Sequence, residues 1–196
     1  MSGDHHIDSE TSQRVRDLEA ALVDAGVLTG EEIDEALDRY LADRGVVTNG
    51  ARLVARAWLD DEFRDRLLTD GNAACRELGL EWVGEEPVFK VVANLPDVHN
   101  VIVCTLCSCY PTGLLGPSPH WYRSVEYRAR VVREPRSVLS EFGVDVPADT
   151  SIEVWDASAD ARYMVLPDRP AGSEDLTEDE LVELITVRGL IGTALV

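Results

Sequence analysis

Basic residues are scarce in this chain: 18 Lys and Arg stand against 37 Asp and Glu, giving a formal net charge of -19. A surface of that sign repels phosphate backbones and anionic lipid, so neither nucleic acid nor a membrane surface is an expected partner. A basic partner subunit would suit it, and so would simple solubility. Long apolar runs are missing as well, since no stretch approaches the roughly 20 residues of a membrane span. The opening MSGDHHIDSE has neither the basic nor the apolar region of a secretory signal, and the expected compartment is the cytoplasm. Internal repeats and low-complexity segments are absent too. Apolar residues still make up 45% of the 196, enough to build a core.

Cysteine is rare, with four in all, yet three fall within the stretch VCTLCSCY as Cys104, Cys107 and Cys109. In a reducing compartment such a cluster points to metal binding or catalysis rather than to disulfides. The fourth, Cys75, stands alone in AACRELG and reads as a small buried hydrophobe.

The chain up to Glu85 reads as helical. Val15, Leu18, Leu22 and Val23 are spaced by threes and fours, and Gly26 ends the run. Thr29 and Glu32 form a capping box for a helix carrying Ile33, Leu37, Tyr40 and Leu41, which stops near Gly45. From Asn49 one longer pattern runs through Leu53, Ala57, Trp58, Phe63, Leu67 and Leu68. A short helix follows from Ala73 to Leu78, with Gly79 as its left-handed terminus.

The remainder changes character. Val88–Ala93 and Val98–Val103 are β-branched strands around a Leu95-Pro96-Asp97 turn. Ser124–Arg133 and Arg136–Phe142 read as helices interrupted at Glu134-Pro135. Ser151–Trp155 and Arg162–Leu166 read as strands, and a capping box at Thr177 and Glu180 opens a helix to about Val187. The fold class is α+β. An extended helical N-terminal arm, residues 1–85, precedes a compact layered α/β domain, residues 86–196, that carries the cysteine loop. The first helix reads either as an arm lying on another protein or as one folded back on its own domain.

Cys-x-x-Cys-x-Cys in a tight loop can turn three soft sulfurs toward one ion. A structural zinc site needs a fourth side-chain ligand, usually from a second pair, and the chain has none. His99 and His120 lie nearest and neither is paired. An iron–sulfur cluster likewise lacks its fourth cysteine. Three sulfurs with a position left open is the pattern of a catalytic metal site. Spacing alone leaves both the structural and the catalytic reading standing.

VCTLCSCYP resembles the metal-binding motif of the nitrile hydratase α subunit, shared with the related thiocyanate hydrolase γ subunit. Similar segments extend from about residue 10 to the end. They include Asn49–Arg52, Ala55–Trp58, Val98–Asn100, Trp121-Tyr122, Glu126–Arg136, Val154–Asp156, Arg162–Pro167 and Arg169–Gly172. The resemblance implies one Co(III) or Fe(III) held by the sulfurs of Cys104, Cys107 and Cys109 and the backbone amides of Ser108 and Cys109. It further implies that Cys107 is a cysteine sulfinic acid and Cys109 a cysteine sulfenic acid, with Ser108 hydrogen-bonding nearby. Cysteine oxidation of this kind belongs to the ordinary thiol ladder. Thr105 resembles the cobalt type, where the iron type carries Ser. A β subunit or subunits and a metal-insertion accessory protein are the implied partners, and a small-molecule nitrile the implied substrate. In the family the oxidised sulfurs pair with arginines of the β subunit; Arg162 and Arg169 read as structural.

After the motif, cobalt-type members read Tyr-Pro-Trp-Pro-Val-Leu-Gly, and this chain reads Tyr110-Pro111-Thr112-Gly113-Leu114-Leu115-Gly116. Tyr110, Thr112 and Gly113 are the expected pocket residues. Loss of a large ring and gain of glycine freedom predict a roomier pocket for a bulky or heteroaromatic nitrile, as in the three-subunit toyocamycin nitrile hydratase. Ala93-Asn94-Leu95 stands where the family has Glu-Asn-Thr, so a polar group near the site is lost. The expected activity is hydration of a nitrile to its amide. The alternatives are thiocyanate hydrolysis to carbonyl sulfide and ammonia, or a structural zinc-binding subunit without chemistry.

Overall fold

The computed structural model describes residues 9–42, 48–80, 87–106 and 109–196. Gly45 and Glu85, the expected helix stop and domain boundary, lie outside the described residues, as do Cys107 and Ser108.

Two helices lead, α1 (Ser9–Asp24) and α2 (Gly30–Ala42). The expected capping box is present: the Glu32 amide donates to Thr29 Oγ1 at 3.1 Å, and the Thr29 amide donates to Glu32 Oε2 at 2.7 Å. The single pattern from Asn49 is in fact two helices, α3 (Asn49–Leu59) and α4 (Asp61–Thr69). The break is Asp60, whose extended backbone ends one helix while its carboxylate accepts from the Phe63 amide to cap the next. Asp70 repeats the device for α5 (Gly71–Glu77), so three short helices turn corners and deliver Leu53, Phe63, Leu67 and Cys75 to one core. Cys75 is fully buried, as expected of a small hydrophobe.

Four strands follow: β1 (Val88–Ala93), β2 (Val98–Val103), β3 (Ser151–Asp156) and β4 (Ala161–Leu166). Neither β1 with β2 nor β3 with β4 forms a ladder, although each pair is joined by a short connection. β1 pairs in parallel with β4, and β2 in parallel with β3, with Val98 opposite Ser151 and Val103 opposite Asp156. β2 is buried along nearly its whole length, which explains its unbroken apolar run Val101–Val103.

Between β2 and β3 the chain makes α6 (Thr112–Leu115), α7 (His120–Arg123), α8 (Val125–Arg130) and α9 (Pro135–Glu141). The two single-turn helices, α6 and α7, were not foreseen, because four residues carry no periodicity to detect. α8 ends three residues short of the expected Arg133. Trp121 seats this region, with ring centroids 4.7 Å from Phe142 and 5.0 Å from Tyr127.

The Thr177–Glu180 box opens α10 (Glu178–Leu184), which ends before Val187. Thr186 caps a further helix, α11 (Val187–Ile191), through the Gly189 amide. Gly192 closes it with φ +89°, and its Cα lies so close to the Asn100 carbonyl that no side chain fits there. Its own carbonyl faces His99 Nε2 at 2.8 Å, so His99 is a buried hydrogen-bonding residue and not a ligand. The helices and small parallel sheets confirm the α+β class.

Candidate metal centre

The cysteine loop springs from the carboxyl end of β2. In parallel pairing both strands end at the same side, so the carboxyl end of β3 lies beside it. Cys104, the first loop residue, is fully buried, and Cys109 is half-buried.

Backbone and side-chain bonds fix both ends of the loop. At its start the Ala157 amide donates to Val103 O at 2.7 Å. One residue past Cys104, the Thr105 amide donates to Asp156 Oδ1 at 2.9 Å and the Thr105 hydroxyl to Oδ2 at 2.6 Å. At the far end the Tyr122 hydroxyl donates to Cys109 O at 3.0 Å. Nearby, the Tyr127 hydroxyl donates to Ile102 O at 2.6 Å, occupying a carbonyl of β2 close to the loop.

Burial pushes the Tyr122 phenol well above its ordinary pKa, and Tyr127, Cys104, Tyr110 and Cys109 push it the same way. Burial likewise raises Tyr127. Both phenols therefore stay protonated donors. The geometry tests the sulfur set: Cys104 lies buried at the foot of the loop, and Cys109, five positions on, is held at its far end by Tyr122. Two soft thiol donors on one short loop tethered at both ends fit a transition metal. Among the described residues no three His, Cys, Asp or Glu side chains form such a group. Cys107 and Ser108 fall outside the described residues.

Tyr110 is buried and stacks edge-on against Tyr122, with ring centroids 5.1 Å apart. Thr112 is exposed at the head of α6, and Gly113 O accepts from Asn49 Nδ2 at 3.3 Å. Gly113 thus sits in a hydrogen-bonded helical turn, with Leu114 and Leu115 both bonded to Pro111 O, rather than in a free loop. A cavity of about 260 Å³ adjoins the loop, lined by Thr105 and, from α8 and the turn after it, Val125, Arg128, Ala129, Val132 and Arg133.

Arg162 turns to the carbonyls of Ser158 and Ala159. Arg169 donates to Trp58 O at 3.1 Å, Ser173 O at 2.6 Å and Glu174 O at 3.2 Å. Both bind backbone, in keeping with a structural role. Asn94, beside the altered Ala93 and Leu95, accepts from the Asn100 amide at 2.8 Å, and Trp155 Nε1 donates to Asn100 Oδ1 at 2.8 Å. Tyr122, Asp156 and Asn100 were not singled out from sequence. Asp156 had one usable signal, a carboxylate directly after the expected strand Ser151–Trp155.

The leading helices dock on α7 through charge. Arg123 meets Glu19 with both terminal nitrogens at 3.2 Å, His120 Nδ1 lies 3.0 Å from the same carboxylate, and the His120 amide donates to Asp34 at 2.7 Å. Val15, Leu18, Val27 and Leu28 remain exposed.

Residues 9–194 match the family described as nitrile hydratase, alpha chain. The low-molecular weight cobalt-containing nitrile hydratase subunit alpha of Rhodococcus rhodochrous is 50% identical over 186 residues, covering 94% of this chain and 88% of that one. The thiocyanate hydrolase subunit gamma of Thiobacillus thioparus is 46% identical over 154 residues, 74% of this chain and 63% of that one. Among solved structures, a doubly substituted Fe-type nitrile hydratase from Comamonas testosteroni Ni1 superposes with TM-score 0.76 at 43% identity, covering 96% of this chain and 91% of that one.

Proposed function

This chain belongs to the nitrile hydratase α-chain family, and from that premise we propose that it is the metal-binding catalytic subunit of an enzyme hydrating a nitrile to its amide. The observation that carries the reading is the tethered cysteine loop at the carboxyl end of β2, with Cys104 buried at its base and Cys109 O held by Tyr122.

In this reading Cys104, Cys107 and Cys109 and the amides of Ser108 and Cys109 hold one Co(III). The cobalt-containing relative and Thr105 support cobalt over iron. Bound there, a trivalent ion supplies Lewis acidity for adding water to a nitrile. The chain's own residues set the frame: Tyr122 and Asp156 hold the loop ends, and by the family resemblance Ser108 would hydrogen-bond near the site. Cys107 as the sulfinate and Cys109 as the sulfenate are part of the active form. Tyr110, Thr112 and Gly113 would border the substrate pocket, a different lining from that of the cavity beside Thr105, and the absence of a large ring at 112 and 113 would admit a bulky nitrile.

A β subunit or subunits complete the pocket, an accessory protein delivers the metal, and assembly is cytoplasmic. Among the described residues no helix is long and apolar enough to cross a membrane. Within the expected helical segment 1–85, the early helices, residues 15–41, act as the subunit clasp, while α3–α5 share one core with the catalytic domain, 86–196. The exposed Val15, Leu18, Val27 and Leu28 support the clasp.

The test is elemental analysis of protein made with its partners and cobalt, beside mass spectrometry of the Cys104–Cys109 peptide. One cobalt per chain, with added oxygen on Cys107 and Cys109, is expected. Iron at full occupancy in an active sample overturns the metal assignment. Zinc in a colourless site, with all three cysteines unoxidised, overturns the catalytic one. Thiocyanate hydrolysis is the second reading, favoured by the Thiobacillus relative; assaying nitrile and thiocyanate side by side separates the two.

A further inference from the structure

We propose that Asp156 is a positioning residue for the metal loop, clamping Thr105 so that Cys104 is aimed before any metal arrives. The proposal rests on the assignment of Cys104 as a ligand.

Cys104 lies between two pinned neighbours. Val103 is tied to β3 by the Ala157 amide at 2.7 Å. Thr105 gives both its amide and its hydroxyl to the two oxygens of one carboxylate, at 2.9 and 2.6 Å. With both flanking peptides fixed, Cys104 has little backbone freedom left, and burial restricts its side chain. Leu106, the next residue, is 87% exposed, so packing does not hold it as it holds Cys104. Asp156 reaches Thr105 because β2 and β3 run parallel in a register that sets Val103 opposite Asp156. The partners are 51 positions apart in sequence.

The clamp also separates two properties of Thr105. A serine would make both bonds, so hydrogen bonding does not distinguish the two. What threonine adds is a methyl group and a stiffer χ1, which narrows the directions its hydroxyl can take. Valine keeps that shape and loses the hydroxyl bond. A clamp therefore predicts that the hydroxyl, and not the methyl, governs metal loading.

Three variants made with the partner subunits and cobalt test this: Asp156→Ala, Thr105→Val and Thr105→Ser. Cobalt content, oxidation of the Cys104–Cys109 peptide, and hydrogen exchange of the Thr105 amide in cobalt-free complex are the readouts. Asp156→Ala should exchange the Thr105 amide faster, bind cobalt on the order of tenfold more weakly, and leave Cys107 and Cys109 less oxidised. Thr105→Val should show a smaller loss of the same kind, and Thr105→Ser should match the parent. If Asp156→Ala does not fold, Thr105→Val against Thr105→Ser decides. Unchanged cobalt and oxidation in Asp156→Ala and Thr105→Val overturn the proposal, even with faster exchange, because the clamp would then serve structure alone. A parent enzyme without cobalt overturns the metal assignment instead, while amide exchange still reports whether Asp156 holds Thr105.

Discussion

The Tyr122 hydroxyl donates to the carbonyl of Cys109 at 3.0 Å, which ties a core aromatic residue to the last cysteine of the metal loop. Tyr122 is itself fully buried, so its position is set by packing and not by solvent. Replacing it with Phe keeps the ring and removes only the bond. Cys109 is half-buried, and a hydrogen bond of this kind contributes about 0.5–1.5 kcal/mol net. Urea unfolding of Tyr122→Phe should show a loss of that size, and the variant should release cobalt faster than the parent on challenge with a chelator.

Gly192 makes a second close approach. Its φ of +89° and its contact with the Asn100 carbonyl leave no room for a β-carbon. Gly192→Ala should destabilise by about 3 kcal/mol or more, combining left-handed strain with steric overlap. It should also disturb the His99 contact to the Gly192 carbonyl. A thermal midpoint within a degree or two of the parent would contradict the close approach.

The charge cluster on α7 predicts how the leading helices behave. Arg123→Ala removes the cation between Glu19 and Asp34, 3.2 and 3.9 Å away. Limited proteolysis should then cut within residues 13–36 sooner than in the parent. Deleting residues 1–45 should weaken co-purification with the partner subunit and leave cobalt content per assembled chain unchanged. Undiminished co-purification refutes the clasp.

Two carboxylates should respond to acid with opposite signs. Hydrogen bonds from the Thr177 backbone and then its hydroxyl hold Glu180 below the usual carboxylate range. Its contribution is present above the ordinary value and is lost as pH falls through the lowered one. Burial raises Asp34 first of all, against the His120 amide and the Arg123 charge. Its contribution is full below the ordinary carboxylate value and is lost as pH rises through the raised one. Asp34→Asn should therefore be relatively more stable, against the parent, at neutral pH than near about pH 4. Glu180→Gln should lose more at neutral pH than in acid. Thermal midpoints across that range check both signs.

Thr112 and Gly113 predict substrate preference. Neither supplies a large ring, and Thr112 is exposed at the head of α6. The enzyme should turn over bulky heteroaromatic nitriles with higher kcat/KM than acetonitrile. Thr112→Trp should reverse the order. A parent preference for acetonitrile sinks the idea.

Local signals were legible where the cause is local. Both capping boxes, all four strands and the helix terminus at Gly79 follow from neighbouring residues, and Gly79 takes φ +69° as a terminus of that kind requires. The break at Asp60 was also local, a carboxylate three residues before Phe63, but the apolar spacing ran through it and masked it. The cysteine spacing suggested a metal loop without help from the fold, because three thiols in six residues have few other uses where thiols stay reduced. The strand pairing was not legible. Parallel ladders join segments far apart, and nothing in Val98–Val103 specifies that Ser151–Asp156 will lie beside it. That pairing alone brings Asp156 to Thr105, just as the packing of α7 alone brings Tyr122 to Cys109. The sequence by itself determined which sulfurs stand together on one loop. The tertiary structure decided how firmly they are held, since the residues that hold them come from 13 and 51 positions away.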